Sequence, residues 1–410
     1  MILLLFTTSY PYIAGGEQNF IEMEGKYLLH GFERVIVVPE KRTGERVELL
    51  PGFEVEDGYA AFLETRSRLD EFLRGLLSPL VISEISRRPV VLLRPAWLKR
   101  LIFFAGRAAL TRAWFLRWIH LHKIDPRQVL LYTYWFTEPT LGLGLAKRSI
   151  PELRLVTRAH RYDLYEEVND PPYWPCRAAA LDILDAVFSV SADGADYLCR
   201  KYPRFSSRVT EARLGIQPSE VVASPSADGV YRIVSCSKLV AVKRVDLLLE
   251  GIIAAAGSET GQRFEWTHIG NGPLRPQLEA KLSDLPANLT ARIVNYSDAS
   301  TVIAFYGQHP IDVFVNVSVS EGTPVAIMEA ISCGIPVIAT DVGGNAEIVC
   351  AENGFRIPAS SSPDEIANAL LAHRDRLPGL RHGSLQVWGE KYDARWNYPE
   401  FVQRLAAIRG

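Results

Sequence analysis

Two carboxylates eight residues apart, Glu321 and Glu329, stand in the run SEGTPVAIMEAISCGIPVIATDVGGNAEIV (320–349) and are well suited to a hydroxyl-rich ligand. Carboxylates accept hydrogen bonds from vicinal hydroxyls and oppose a developing oxocarbenium charge. On a single helix that spacing leaves them roughly 80° apart, so they share a ligand only if Glu321 lies in the loop before the helix. Gly322 and Thr323 lead to Pro324, a residue favoured at the first helical position. Glu321 is therefore expected at a strand-to-helix junction, beside free backbone N–H groups that favour a phosphate. The competing reading makes Glu321 a helix cap and Glu329 a solvated surface group. The neighbours Ala326, Ile327, Met328, Ala330 and Ile331 argue against it. They make the helix so apolar that Glu329 is expected near-buried, where a lone carboxylate is costly and needs a partner.

Lys238 and Lys243, in SCSKLVAVKRVDLLLEGI (235–252), follow an apolar run of strand length. They read either as solvated surface charges or as cations at the carboxyl end of a strand in a Rossmann-like unit. Gly270 and Gly272 in THIGNGPLRPQLE (267–279) allow close packing against a ligand or loop. As a dinucleotide signature they are weak, since Arg275 stands where the third glycine would be. No Asp-x-Asp pair occurs, so no metal-clamped diphosphate is expected and no cofactor is implied. The five cysteines lack zinc spacing and read as buried thiols.

Placing such groups takes a series of parallel α/β units, in which apolar strand-length runs alternate with helical patterns. One series comprises ILLLF (2–6), an amphipathic segment 17–30, RVIVVP (34–39), VLLYTYW (129–135), LRLVTRA (153–159), AVFSVS (186–191) and RVTEARL (208–214). A second comprises YRIVSCS (231–237), FEWTHIG (264–270), LTARIVNY (289–296), IDVFVNVS (311–318) and PVIATDV (336–342). The fold class is α/β, with two doubly wound Rossmann-like domains and ligands expected in a cleft at the strand ends. The expected boundaries are 1–215 and 230–386, a Pro/Ser/Gly-containing linker at 216–229, and a C-terminal helix at 387–410 crossing back to the first domain. Between 85 and 124 the chain carries nine Arg and Lys and no acidic residue, interleaved with Trp97, Phe103, Phe104, Trp114, Phe115 and Trp118. That pattern suits contact with an anionic membrane surface, or else a helical insertion packed on the first domain with its arginines reaching water.

EGTPVAIMEA resembles the E-x7-E signature of retaining glycosyltransferases of family 4, and the resemblance implies the two-Rossmann GT-B fold. It further implies that Glu321 contacts the donor sugar, that Glu329 binds the ribose hydroxyls and that Lys238 and Lys243 hold the diphosphate. The family usually has Arg at the first of these basic positions; a Lys keeps the charge without bidentate contact. TTSYPYIAGGEQNFIEME (7–24) is similar to the family's glycine loop, with Gly15 and Gly16 near the phosphate, although a plain turn reads equally well. LVTRAHRYDLYEE (155–167) puts His160 where the family has an active-site His, with Arg161 in place of the usual glycine. Trp135 reads as an acceptor-side or a core residue. The catalytic set implied is His160, Glu321 and Lys243. The donor set is Gly16, Lys238, Lys243, Gly270, Gly322, Thr323, Pro324, Val325 and Glu329, and the acceptor set is Trp135 and Arg161.

The expected activity is retaining, metal-independent transfer from a UDP- or GDP-sugar to a saccharide or lipid-linked saccharide, in exopolysaccharide or lipopolysaccharide assembly. A sugar-nucleotide epimerase of the same fold and a non-catalytic carbohydrate- or partner-binding protein are the rivals. A net charge of −2 gives no case for nucleic-acid binding. The short apolar start MILLLFTTSY has no preceding basic residue and reads as a strand, so a cytoplasmic protein is expected, at most touching the inner face of the membrane.

Overall fold

The computed structural model describes residues 1–12, 17–295 and 299–408. Contacts divide the chain into two units, Met1–Arg213 with Tyr398–Gly410, and Leu214–Asn397. In the first, seven parallel strands, β1 (Ile2–Thr7), β2 (Arg34–Pro39), β3 (Phe53–Val55), β4 (Val129–Thr133), β5 (Arg154–Ala159), β6 (Ala186–Ser189) and β7 (Val209–Glu211), lie in the order β3-β2-β1-β4-β5-β6-β7. Leu4 sits opposite both Ile36 and Leu131. Leu3, Leu5, Val35 and Val37 fill the core on one face, while Leu4, Phe6, Ile36 and Val38 fill it on the other. A parallel sheet covered on both faces needs apolar residues at successive positions, which explains the unbroken apolar runs of β1 and β2.

The second unit repeats the scheme with β8 (Val230–Cys236), β9 (Arg263–Ile269), β10 (Leu289–Val294), β11 (Val313–Asn316), β12 (Val337–Thr340) and β13 (Gly354–Ile357), in the order β10-β9-β8-β11-β12-β13. The α/β, doubly wound fold class expected from the sequence is thus observed in each unit. Strand order reverses beside the first strand of each sheet, between β1 and β4 and between β8 and β11. Loops leaving the carboxyl ends diverge at such a point, which is where open α/β sheets bind ligands. The helices that matter for these loops are α1 (Gln18–Leu28) after β1, α2 (Pro95–His122), α3 (Val245–Ser258) after β8 and α4 (Val325–Ser332) after β11.

Five of the six aromatic residues of the basic segment are core residues and Phe103 is half-buried against Phe72, which fits the packed-insertion reading of the segment and corrects the reading in which these rings face a membrane. Trp97, Phe104, Trp114, Phe115 and Trp118 are all buried. Trp114 meets Phe6 of β1 edge-on at 6.1 Å, and Trp97 stacks on Tyr173 at 4.7 Å. Rings of this size gain most by covering a sheet face, so α2 presents them inward. Arg107 also turns inward, to Glu40 and Glu71 at 3.1 Å each, whereas Arg112 and Arg117 emerge to solvent.

The C-terminal stretch is two helices, Arg381–Lys391 and Ala394–Ala407, and its residues from Tyr398 onward belong to the first unit. Phe401 there covers the guanidinium of Arg158 at 4.3 Å. Arg158 is fully buried and paired with Glu24, whose other oxygen accepts from the Tyr132 hydroxyl at 2.7 Å. Removing either member of so deeply buried a pair costs about 3–5 kcal/mol. Residues 217–229 form neither helix nor strand and belong to the second unit. They are tied there by the Ala223 N–H to the Cys333 carbonyl (2.9 Å) and by the Ser226 N–H to Asp312 (2.8 Å).

Candidate functional site

In the second unit the groups singled out by the sequence gather at the switch between β8 and β11. The loop leaving β8 carries Lys238, which is exposed and whose ammonium meets no described partner. Five residues on, Lys243 ends a single 3-10 turn (Ala241–Lys243), and Arg244 then takes a left-handed conformation with φ 48°. The Arg244 guanidinium donates to the carbonyls of Val317 and Ala359, at 2.7 Å each. These contacts pin the β8 loop to the loops after β11 and β13, and so fix where Lys243 points. Its Nζ lies 2.5 Å from Glu321 Oε1.

Glu321 is in the loop between β11 and α4, and it is buried. Its Oε1 also accepts from Ser318 Oγ at 2.6 Å and Asn316 Nδ2 at 3.1 Å. With three donors on one oxygen, Oε2 is left without a described donor. The glycines after β12 hold the backbone behind it. A Cβ on Gly343, where φ is 45°, would lie 2.1 Å from the Glu321 carbonyl oxygen, and one on Gly344 would lie 1.7 Å from that of Gly322. Only glycine permits so close an approach.

Glu329, inside α4, is buried, and its carboxyl meets no described partner. The expected partner is thus missing among the described residues; burial instead raises the group to about 8, so it is held protonated near neutrality. Burial also pushes the Cys236 thiol up, with Glu329 adding to the rise and Lys243 opposing it. Glu329 and Lys243 therefore both lie near Cys236 at the end of β8. Pro324 stands just before α4 with an extended ψ of 97°, and Val325 is the first helical residue, one place later than expected. Gly322, Thr323 and Val325 are half-buried around that helix start.

Gly270 and Gly272 serve the loop. A Cβ on Gly270 would fall 1.9 Å from the Ser237 carbonyl oxygen, and one on Gly272 2.5 Å from that of Leu239. His268 completes this support, with Nδ1 2.9 Å from Ser235 Oγ and Nε2 3.1 Å from the Ser237 carbonyl. Burial lowers its imidazole to about 4, leaving it neutral.

The first unit builds a second cluster at its own switch point, around residues that follow β1, β4 and β5. Glu17 is buried, and its carboxylate gathers the backbone N–H groups of Thr8 (3.1 Å), Ser9 and Tyr10 (2.7 Å). It also accepts from the indole of Trp135 at 2.6 Å. Held in this way, Trp135 lies 4.4 Å from the ring of His160, and Tyr134 lies 4.9 Å from it. Neither His160 ring nitrogen has a described hydrogen-bond partner. Burial, then the charge of Arg158, holds this imidazole far below its ordinary range, so it is neutral. Asp163 fixes the turn by accepting from the N–H groups of His160 (2.6 Å) and Phe136 (2.5 Å). Arg161 opens the short helix Arg161–Leu164 and is half-buried. Gly15 and Gly16 lie outside the described residues.

Sequence reasoning passed over Glu17, Arg244, Asn316, Ser318 and the pair Gly343–Gly344, and gave Asp163 no role of its own. A carboxylate directly after a loop rich in free N–H groups was a usable signal for Glu17, and a glycine pair after a strand was one for Gly343–Gly344. Nothing local marks Arg244, whose acceptors are distant in sequence.

Residues 230–374 match the family model described as Glycosyl transferases group 1. The chain is similar to the GtfA subunit of the UDP-N-acetylglucosamine–peptide N-acetylglucosaminyltransferase of Streptococcus pneumoniae, with 25% identity over 69% of this chain and 57% of that one. It is also similar to the amylovoran biosynthesis glycosyltransferase AmsK of Erwinia amylovora, with 24% identity over 42% of each. The matches thus span well under two thirds of these relatives. Among solved structures, the lipopolysaccharide outer core galactosyltransferase WaaB in its apo form superposes with a TM-score of 0.68 at 13% identity, covering 100% of this chain and 99% of that one. HepE of Anabaena in complex with UDP and glucose gives 0.61 at 16% identity, covering all of both chains. At those identities the likeness is one of fold. The chain therefore has GT-B architecture, and its second unit is similar to the group 1 glycosyl transferases.

Proposed function

We propose that this chain is a retaining, metal-independent glycosyltransferase of family 4 that moves a hexosyl group from a UDP- or GDP-sugar to a saccharide or lipid-linked saccharide during surface polysaccharide assembly, acting in the cytoplasm. The observation that carries this reading is the half-used carboxylate of Glu321: one oxygen is saturated by Lys243, Ser318 and Asn316 and the other is open, while the β8 loop that carries Lys243 also exposes the cation Lys238. That is a holder for a diphosphate with a sugar attached. The UDP and glucose named with the HepE structure belong to the same ligand class.

In this reading Lys238, Lys243 and the N–H groups opening α4 oppose the charge that builds on the departing diphosphate. Glu321 orients the sugar through Oε2, and Glu329 accepts from ribose hydroxyls. The bond from the anomeric carbon to the diphosphate oxygen breaks as the acceptor oxygen attacks from the same face, and the acceptor proton passes to the leaving phosphate oxygen. In the first unit, His160 is neutral and has nitrogens to spare, so it acts as a hydrogen-bonding contact for the sugar rather than as a general acid. Trp135 and Arg161 are assigned to the acceptor. The test is nucleoside diphosphate release from UDP- and GDP-sugars with and without saccharide acceptors, in EDTA, with the product anomer read by NMR. Acceptor-dependent release with retained configuration is expected. Isomerised donor without acceptor would establish the epimerase instead.

A further inference from the structure

The helix Arg68–Leu76 is amphipathic in the wrong direction for a core helix. Its inward face is Glu71 and Gly75, both buried, whereas Leu69, Leu73, Leu76 and the capping Leu77 point to solvent, Leu69 and Leu77 being 64% and 81% exposed. Positions i, i+4, i+7 and i+8 lie on one face of a helix, so these leucines form a stripe. The two helices that follow, Pro79–Arg87 and Pro89–Leu93, also expose apolar side chains, with Ile82 at 69% and Leu93 at 81% exposure. Most of the large apolar side chains exposed among the described residues fall between Leu69 and Leu93. Solvated proteins rarely leave such a patch open without a partner.

Charge tells which partner. From Thr65 to Arg100 the exposed ionic side chains are Arg66, Arg68, Arg74, Arg87, Arg94 and Lys99, and none is acidic. Glu71 and Glu84 are buried, and the half-exposed Asp70 offsets Arg74 at the surface. Glu71 pairs with Arg107, Glu84 accepts from the Tyr173 hydroxyl at 3.0 Å and Asp70 pairs with Arg74 at 2.8 Å. A second copy of the chain would set these arginines against their own kind. Leucines that enter an acyl boundary, ringed by cations that meet anionic headgroups, satisfy both halves of the surface. No helix among the described residues is long and apolar enough to cross a membrane, so the contact is one of lying on the bilayer.

We infer that residues 66–99, through the outward leucine stripe and its exposed cations, form a docking face for an anionic bilayer. This differs from the sequence expectation, whose aromatics on α2 are core. The experiment is flotation of the full chain with vesicles of phosphatidylcholine alone or mixed with phosphatidylglycerol. The parent floats with the anionic vesicles and is released by salt. Arg68→Gln with Arg87→Gln and Lys99→Gln weakens partitioning about fivefold per cation removed. Leu73→Ser with Leu77→Ser and Leu93→Ser abolishes it, while circular dichroism matches the parent. Should the leucine variant fail to fold, the charge variant, altered only at exposed residues, still decides. Equal flotation with both vesicle types, unchanged flotation of the charge variant, or a leucine-dependent dimer with no vesicle binding would each overturn the inference.

Discussion

The loop after β1 and the loop after β8 leave equivalent places in their sheets, yet they handle polar groups in opposite ways. After β1 the chain fills its own nest of N–H groups with the carboxylate of Glu17, and that carboxylate in turn holds Trp135 beside His160. After β8, Lys238 stands exposed and Lys243 reaches across to a carboxylate that keeps one oxygen open. In the first loop the N–H groups of Thr8, Ser9 and Tyr10 are satisfied, and the carboxylate that satisfies them holds an aromatic pair. The second is unsatisfied in a pattern that an anionic, hydroxyl-bearing ligand would complete. A saturated carboxylate is thus a support, and a half-saturated one is a contact.

The strongest way to break this contrast is at Lys243. Lys243→Ala removes a cation from the leaving group, and kcat is expected to fall about 10²–10³-fold while the folded state persists; a turnover equal to the parent's would remove Lys243 from the site. Glu17→Ala should act on the opposite quantity. It strands several donors in a buried nest, at a cost of about 3 kcal/mol of stability, read by urea unfolding, whereas Glu17→Gln keeps an acceptor and loses less. Lys238→Ala should leave stability within about 0.5 kcal/mol of the parent yet weaken diphosphate binding about tenfold, the reverse of Glu17. If Lys238 and Glu17 variants behaved alike, the two loops would not differ in kind.

The smallest effect concerns protons. Glu329 is raised to about 8 by burial alone, so its contribution to stability is complete below the unfolded carboxyl value and is lost as pH rises through about 8. Hydroxyl donors favour the ionised form, so nucleotide binding at pH 7 should expel a fraction of a proton, read as a calorimetric heat that varies with the ionisation enthalpy of the buffer. In Glu329→Gln that variation should vanish. An unchanged buffer dependence would mean another group titrates.

Much of the fold was legible because buried parallel strands must be continuously apolar: RVIVVP corresponds residue for residue to β2, and YRIVSCS overlaps β8. The strands without an advance signal, β3 and β13, are sheet edges of three and four residues. Edge strands bury less and carry shorter apolar runs, so periodicity is silent there. For the site, Glu321 in a loop and Glu329 in an apolar helix could be read from neighbours in sequence. The grip of Arg244 on Val317 and Ala359 could not, since it joins three loops by tertiary contact. The basic segment read two ways because aromatic residues beside arginines look alike whether the rings face a membrane or the β1 sheet. The leucines that do face outward lie largely ahead of it.

The central claim is that the β8 and β11 loops hold a nucleoside diphosphate. Isothermal titration of UDP, GDP and their sugars into the parent and into Lys238→Ala with Lys243→Ala tests it most directly. Saturable binding to the parent that falls about a hundredfold in the double variant is the expected result; no binding of any nucleotide to the parent, or equal affinity in both proteins, would contradict the account.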